Sequence, residues 1–261
     1  MTGTLLILAV GFVSGMLSGM FGIGGGIITT PALRLLLAAP ALIAVGTPLP
    51  VIIPSAITGS VTYARQGLAD IRSGVTVGLF GSAFAVLGAL LATRVGGQVV
   101  LIVTAALIVY MAVDMTLQAY GSRSSAGESP SQDASASPRP RFIGLVALGI
   151  MTGLYSGFLG LGGGFVLVPM LSRWFRFPIK RAVATSLVAV GILAVPGTIT
   201  HYLLGNVDVR MALLLIVGVI PGALVGARIT LRSSDRTIRV GFAALLLAVG
   251  LLLGASELGL F

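Results

Sequence analysis

The chain has 261 residues, of which 56% are hydrophobic and 9% charged, and its mean hydropathy is +1.09. Soluble domains carry roughly 25% charged residues, so this composition excludes a soluble globule and predicts a multi-pass protein of the cell inner (plasma) membrane. The net charge of +9 arises from basic residues that lie mostly between apolar runs, which indicates membrane orientation; no nucleic-acid partner is expected.

The first half contains four apolar segments, at residues 3–39, 47–65, 73–93 and 98–119. The last three are 19 to 22 residues long, which suits a bilayer core of roughly 30 Å. The first would make a helix of roughly 55 Å, and it contains the triplet Gly24, Gly25 and Gly26. A break at these glycines is therefore predicted.

A Ser-, Pro- and Ala-rich stretch at residues 120–141 follows, and we expect a disordered, cytoplasmic linker there. Four further apolar segments then occupy residues 142–177, 184–203, 211–231 and 240–258. The second triplet, Gly162, Gly163 and Gly164, lies in the first of them. The predicted domains are thus a first transmembrane repeat at 1–119, the linker at 120–141 and a second repeat at 142–261.

The two halves align without a gap at an offset of 138 residues. Residues 11–33 and 149–171 share ten of 23 positions, eight of them Gly or Pro, and "GLADIR" at 67–72 aligns with "GNVDVR" at 205–210. A single register over this length indicates an internal duplication. The predicted fold is an all-α polytopic membrane protein with two homologous repeats of four apolar segments each.

Two geometries are compatible with the long first segments: one broken span, or a re-entrant hairpin with its tip at the glycines. Single crossings would divide the basic residues ten to six between the two sides, whereas re-entry divides them thirteen to three. The second division agrees better with the enrichment of Lys and Arg in cytoplasmic loops. It leaves three crossings per half, so we expect re-entrant hairpins and inverted topology.

Each triplet admits a ligand role and a packing role. Glycines allow left-handed backbone and close approach of a ligand, and the half-helix that follows directs free N–H groups and a positive dipole end toward the triplet. Two such termini meeting near the membrane midplane would form an anion site. Alternatively, the glycines only allow helices to pack closely, as the four-residue spacing of Gly11, Gly15 and Gly19 suggests for that stretch.

The motif "GxGGGxxxxP" in both halves, "GNVD" at 205–208 and "IPGALVGAR" at 220–228 closely resemble the sulfite exporter TauE/SafE family. The resemblance covers both halves and implies an exporter or permease for sulfite, sulfoacetate, other organosulfonates and related small anions. Ala83 stands where the second half has Pro221, so the first half departs from the family pattern there.

Polar side chains within apolar segments are candidates for the substrate site. Ser18 and Ser156 are matched and precede the triplets, and either they face the anion or they bond to a helix carbonyl. Thr185 and Ser186 begin the segment at 184–203, as helix caps or as pore-facing donors. His201 could couple export to protons or could be structural.

The main hypothesis is a secondary transporter of small anions, not an enzyme, with a coupling ion (proton or sodium) as a further partner. Alternatives are a passive anion channel, a scaffold for another membrane complex and, least supported, an intramembrane serine protease using a serine and His201. With no cysteine and one histidine, no metal site is expected, and no cofactor is predicted because no nucleotide-binding motif occurs. The lipid bilayer is an expected partner, and a homo-oligomer is compatible with the sequence.

Overall fold

The computed structural model describes residues 2–121 and 142–257, and within these ranges every regular element is an α-helix. The helices are α1 Thr2–Phe21, α2 Gly26–Leu36, α3 Ala41–Gly46, α4 Pro48–Ala64, α5 Ile71–Val95, α6 Gly97–Gly121, α7 Phe142–Leu159, α8 Gly164–Trp174, α9 Ile179–Leu203, α10 Val209–Arg232 and α11 Asp235–Glu257. The predicted linker at 120–141 lies outside the described residues except at its first two positions, so the domain boundaries stay predictions.

Eight stretches in the described ranges are long and apolar enough to cross a bilayer. They are Gly3–Phe21, Ala41–Ala64, Ile71–Val95, Gly97–Thr116, Phe142–Leu159, Ile179–Leu203, Val209–Arg232 and Asp235–Ala255. Large apolar side chains cover their outer faces: Ile143 is 81% exposed, Val217 63% and Leu79 61%. Apolar surface of this extent requires a hydrocarbon environment, so the protein is a multi-pass membrane protein.

The helix boundaries in the two halves recur at the offset that the sequence predicts. α2 and α8 begin 138 residues apart, as do α5 and α10. The apolar segment predicted from residue 47 agrees with α4, which begins at Pro48 after the short helix α3. The predicted start at residue 184 was wrong, because α9 begins earlier, at Ile179, directly after Pro178, just as α3 begins directly after Pro40. A proline before the first turn fixes the backbone for helix entry and removes no helical hydrogen bond.

The first helix of each half packs on a helix of the other half. In α1, Gly11, Gly15 and Gly19 lie against the backbone of α10, and a Cβ on Gly15 would lie 2.2 Å from the carbonyl oxygen of Val219. In α7, a Cβ on Gly153 would lie 2.1 Å from the carbonyl oxygen of Gly81 in α5. Both pairs run parallel, and the glycines permit a backbone approach that any side chain would block, as predicted for these spacings.

The centre of the bundle is formed by α4 and α9, which cross in antiparallel orientation. Leu49 at the start of α4 lies against Gly197 near the end of α9, and Gly59 lies against Leu187. The equivalent pair α6 and α11 is also antiparallel, since Gly250 contacts Val109 and Gly254 approaches Ala105. In each of these two pairs, the two helices therefore run in opposite directions.

The first two helices form a hairpin at the first glycine triplet. The hydroxyls of Ser14 in α1 and Thr29 in α2 are 2.7 Å apart, and Leu33 belongs to the same buried cluster as Ile7 and Val10. The two helices therefore run antiparallel. The chain therefore reverses its direction at the triplet and runs back along α2 before it enters α3.

Basic residues separate between the two ends of the bundle. We call the end that carries residues 65–70, 175–178 and 233–234 the basic end; there Arg181 pairs with Asp70 at 2.9 Å and Lys180 donates to the Leu231 carbonyl. Its described basic residues are Arg65, Arg72, Arg173, Arg176, Lys180, Arg181, Arg228, Arg232, Arg236 and Arg239. The opposite end, where the start of α3 meets the start of α6, carries Arg34, Arg94 and Arg210.

Candidate functional site

The two glycine turns are in direct contact. A Cβ placed on Gly26 would lie 2.8 Å from the Cα of Leu161, and one on Gly164 would lie 2.7 Å from the Cα of Ile23. Both turns are fully enclosed, with Ile23 and Leu161 at 0% exposure. The structure thus brings together the two triplets, which are separated by 138 residues in sequence.

The turns meet at the crossing of the central helices. A Cβ on Gly24 would lie 2.6 Å from Val190, and one on Gly162 would lie 2.8 Å from Ile52. Ile52 and Val190 are equivalent positions near the midpoints of the stretches Ala41–Ala64 and Ile179–Leu203. The glycine turns therefore lie at mid-depth in the bundle.

The backbone of each turn requires glycine. Gly24 and Gly25 have φ values of +78° and +90°, and Gly162 and Gly163 have +77° and +72°. Gly25 and Gly163 are the N-caps of α2 and α8, and neither supplies a side-chain capping bond. The first N–H groups of a helix have no acceptor within the helix, so two positive helix ends are directed into the same region.

The hydroxyls around the first turn bond to one another. The hydroxyl oxygens of Ser14 and Thr29 lie 2.7 Å apart and lie 2.8 and 3.1 Å from the Gly25 carbonyl oxygen, and the two hydroxyl hydrogens are shared among these three contacts. The Ser55 hydroxyl donates to the hydroxyl of Ser18 at 2.7 Å. Ser18, a predicted site residue, is thus buried and bonded within the protein.

The second turn lacks most of this network. Thr152, equivalent to Ser14, donates to the carbonyls of Leu148 and Gly149 in its own helix. The positions equivalent to Thr29 and Ser55 are Leu167 and Leu193. Ser156, the predicted counterpart of Ser18, is fully buried, and its Oγ has no hydrogen-bond partner.

Thr185 and Ser186 both connect α9 to the first half, Thr185 at the basic end and Ser186 at the first glycine turn. The Thr185 hydroxyl accepts a hydrogen bond from the Asp70 backbone N–H at 3.1 Å, and the Ser186 hydroxyl donates to the Gly22 carbonyl at 2.7 Å. Both lie in the second turn of α9, since that helix begins at Ile179. The interpretation of these two residues as helix caps is therefore wrong.

His201 is buried near the end of α9, and its Nε2 lies 3.0 Å from the carbonyl oxygen of Gly157. Its equivalent in the first half, Tyr63, donates from its hydroxyl to the carbonyl of Gly19 at 2.7 Å. Gly19 and Gly157 are themselves equivalent. Both side chains therefore hold the carbonyl that precedes a glycine turn.

The loop before α5 carries an ion pair between the halves. Asp70 caps α5 by accepting from the Ser73 N–H at 3.0 Å, and its other oxygen accepts from Arg181. Burial opposes ionisation, but the hydrogen bonds from Ser73 and Arg181 and the charge of Arg181 outweigh it and lower the pKa of the Asp70 carboxyl. Asp208 caps α10 in the same way through Met211. A second ion pair joins Asp114 to Arg173.

Ser14, Thr29 and Ser55 surround the first turn but were not predicted as site residues. Ser14 and Ser18 are four residues apart, so they share one face of α1, and this spacing is the signal that could have identified Ser14. Nothing in the sequence places Ser55 beside Ser18, because they lie on different helices.

Comparison with known proteins places the chain in a group of membrane transporters. Residues 7–253 match the family model described as sulfite exporter TauE/SafE. A probable membrane transporter protein of Methanocaldococcus jannaschii is 26% identical to this chain, and the alignment covers 94% of this chain and 93% of that protein. One of Xylella fastidiosa is 32% identical, with 86% of this chain covering 82% of it. No solved structure matches the chain significantly.

Proposed function

The chain belongs to the sulfite exporter TauE/SafE family, and from this premise we propose that it is a secondary transporter that exports small anions, sulfite or organosulfonates, across the plasma membrane. The observation that carries the proposal is the contact between the two glycine turns at mid-depth in the bundle. Each turn directs a positive helix end to the same place, and such ends bind anions.

The antiparallel pairing of equivalent helices supports inverted topology in this proposal. α4 and α9 cross head to tail, and the chain reverses its direction at the α1–α2 hairpin. Transporters of this design hold substrate between half-helices at the interface of two inverted repeats, near the midplane. The division of described basic residues, ten to three, supports a cytoplasmic location for the basic end.

The closed contact between the turns favours a transporter over a passive channel. A channel needs a continuous open path, whereas here Ile23 and Leu161 are fully buried between the turns. In the proposed mechanism an anion enters only when the two halves separate at one end, and a proton or sodium ion is the candidate coupling ion. Alternating access of this kind needs no cofactor.

Uptake of radiolabelled sulfite, sulfate and methanesulfonate into proteoliposomes tests the proposal. The wild type should show saturable uptake of at least one anion, and Gly25→Val and Gly163→Val should abolish it. Gly205→Val is the matched control, because Gly205 has the same left-handed backbone (φ +73°) but no atom within 4 Å of an added Cβ.

Each alternative has its own result in this assay. Flux that rises linearly with concentration would indicate a passive channel. Absence of flux for every anion would favour a scaffold. Normal transport by folded Gly25→Val and Gly163→Val would indicate that the glycine triplets serve only to let helices pack closely. Elution of each variant as a monodisperse peak on size exclusion establishes that it is folded.

A further inference from the structure

The two glycine turns differ in one property that bears on ligand binding: the state of their buried hydroxyls. Ser18 and Ser156 are equivalent and both are fully buried. The Ser18 hydroxyl is engaged by Ser55, whereas the Ser156 hydroxyl has no partner. A buried hydroxyl without a partner is uncommon in folded proteins, and it is explained when a ligand supplies the missing bond.

Ser156 lies beside the N-terminus of α8. A Cβ added to Gly163, the N-cap of α8, would lie 3.4 Å from the Cβ of Ser156. The hydroxyl and the first N–H groups of α8 are therefore neighbouring donors. Thr30 and Thr198 are the other two buried hydroxyls without a partner in the described part of the chain. Thr30 lies four residues into α2 and Thr198 lies in the last third of α9, so neither adjoins a helix cap.

The first turn offers no comparable opening. Ser14 and Thr29 both donate to the carbonyl of Gly25, the N-cap of α2, and thereby connect that turn to its own helices. Leucines occupy the positions equivalent to Thr29 and Ser55 in the second half, so no hydroxyl from those positions competes for Ser156. The sequence differences between the halves therefore leave the serine that precedes the turn without any hydrogen-bond partner in the second half only.

We propose that the two turns are not equivalent: the anion binds to the second turn, held by the Ser156 hydroxyl and the N-terminal N–H groups of α8, while the first turn is a rigid wall. This inference rests on the proposed transport function. An oxyanion with at least two acceptor oxygens, such as sulfite or a sulfonate, can accept from the hydroxyl and the backbone at once.

Three variants test the inference in the proteoliposome assay: Ser156→Ala, Ser18→Ala and Thr30→Val. Ser156→Ala should raise KM for the transported anion about tenfold or more, because it removes a hydrogen bond to a charged ligand. It should leave the melting temperature of the ligand-free protein unchanged or higher, since the hydroxyl has no partner to lose.

The two control variants separate binding from stability. Ser18→Ala leaves the Ser55 hydroxyl without its acceptor, so it should lower the melting temperature with little change in KM. Thr30→Val removes another unpartnered hydroxyl, so it should leave KM unchanged and should not lower the melting temperature. Stabilisation of the wild type by added sulfite, measured by thermal shift, should be absent in Ser156→Ala.

The failure of this inference is distinguishable from failure of the proposed function. If the wild type moves none of the anions, the transport function itself is wrong. If the wild type transports and Ser156→Ala keeps its KM and its sulfite-induced thermal shift, the assignment of the site to the second turn is overturned. An equal rise of KM in Ser18→Ala and Ser156→Ala would also overturn it, by showing that the two turns share the anion.

Discussion

Tyr63 and His201 occupy equivalent positions in the two halves, and each bonds the carbonyl of an equivalent glycine that precedes a glycine turn. Tyr63 donates from a hydroxyl and His201 bonds through Nε2, so two chemically different side chains reach the same backbone atom. Asn206 lies 3.5 Å from the other ring nitrogen of His201. The shared geometry favours a structural role for His201 over proton coupling.

His201→Gln should therefore transport normally, because its amide nitrogen reaches about as far as Nε2 and can donate to Gly157. His201→Ala leaves that carbonyl and Asn206 without the ring and should lose about 1–3 kcal/mol of stability. The measurements are the melting temperature and anion uptake driven by a proton gradient. Loss of gradient-driven uptake in a stable His201→Gln protein would instead establish proton coupling through this residue.

Gly160→Ala should be far more harmful than Gly205→Ala. Both glycines have left-handed backbone, with φ of +66° and +73°, so both variants incur about 1–2 kcal/mol for an added Cβ. Only at Gly160 would the Cβ also lie 2.0 Å from a backbone oxygen, that of Val45. Thermal melting in detergent compares them, and equal melting temperatures would contradict the close packing of the second turn.

Gly153→Leu should disrupt the contact between α7 and α5. Its Cβ would lie 2.1 Å from the Gly81 carbonyl oxygen, so the helices must separate at a cost of about 3 kcal/mol. Gly3→Leu is the control, because no atom lies within 4 Å of a Cβ there. The yield of monodisperse protein reports the difference, and comparable yields for the two variants would argue against this interface.

Asp70→Asn should destabilise the protein at pH 7 and have progressively less effect in acid. The pKa of the Asp70 carboxyl is lowered in the folded state, so its contribution to stability is present above its unfolded pKa and is lost as pH falls through the folded value. The difference in melting temperature between wild type and Asp70→Asn should therefore shrink below about pH 4. A difference that grows in acid would contradict the ion pair with Arg181.

Single cysteines test the membrane orientation without interference, because the chain contains no native cysteine. Gln66→Cys and Ser234→Cys lie at the basic end and should be shielded from an impermeant maleimide in intact cells. Gly96→Cys and Gly205→Cys lie at the opposite end and should react. Gly96 and Ser234 are equivalent positions of the two halves, so labelling of Gly96→Cys and Ser234→Cys from the same side would contradict inverted topology.

Much of the fold could be predicted because it depends on local sequence patterns. The apolar lengths predict the helices, and the triplets at Gly24 and Gly162 predict the breaks, since three glycines disfavour helix wherever they occur. The start of α9 was missed because the charged stretch before residue 184 resembles a loop. In fact Pro178 is the N-cap and α9 begins at Ile179, and Arg181 pairs with Asp70 from the other half.

The hydroxyl network could not be predicted, because it depends on which helices become neighbours. Ser55 reaches Ser18 across 37 residues, and Ser186 reaches Gly22 across 164. Equivalent sequence positions suggested equivalent roles for Ser18 and Ser156. Only the structure distinguishes them, through the leucine that replaces Ser55 in the second half.

The exchange of first helices also determines when the protein can finish folding during its synthesis. α1 cannot form its main contact until α10 has been made, because Gly15 packs on Val219, 204 residues later. At ribosomal rates of about 5–20 residues per second, α1 therefore lacks its native contact with α10 for about 10–40 seconds after its own synthesis. The amino-terminal half is thus an incomplete folding unit, and its cotranslational assembly cannot finish before α10 has been synthesised.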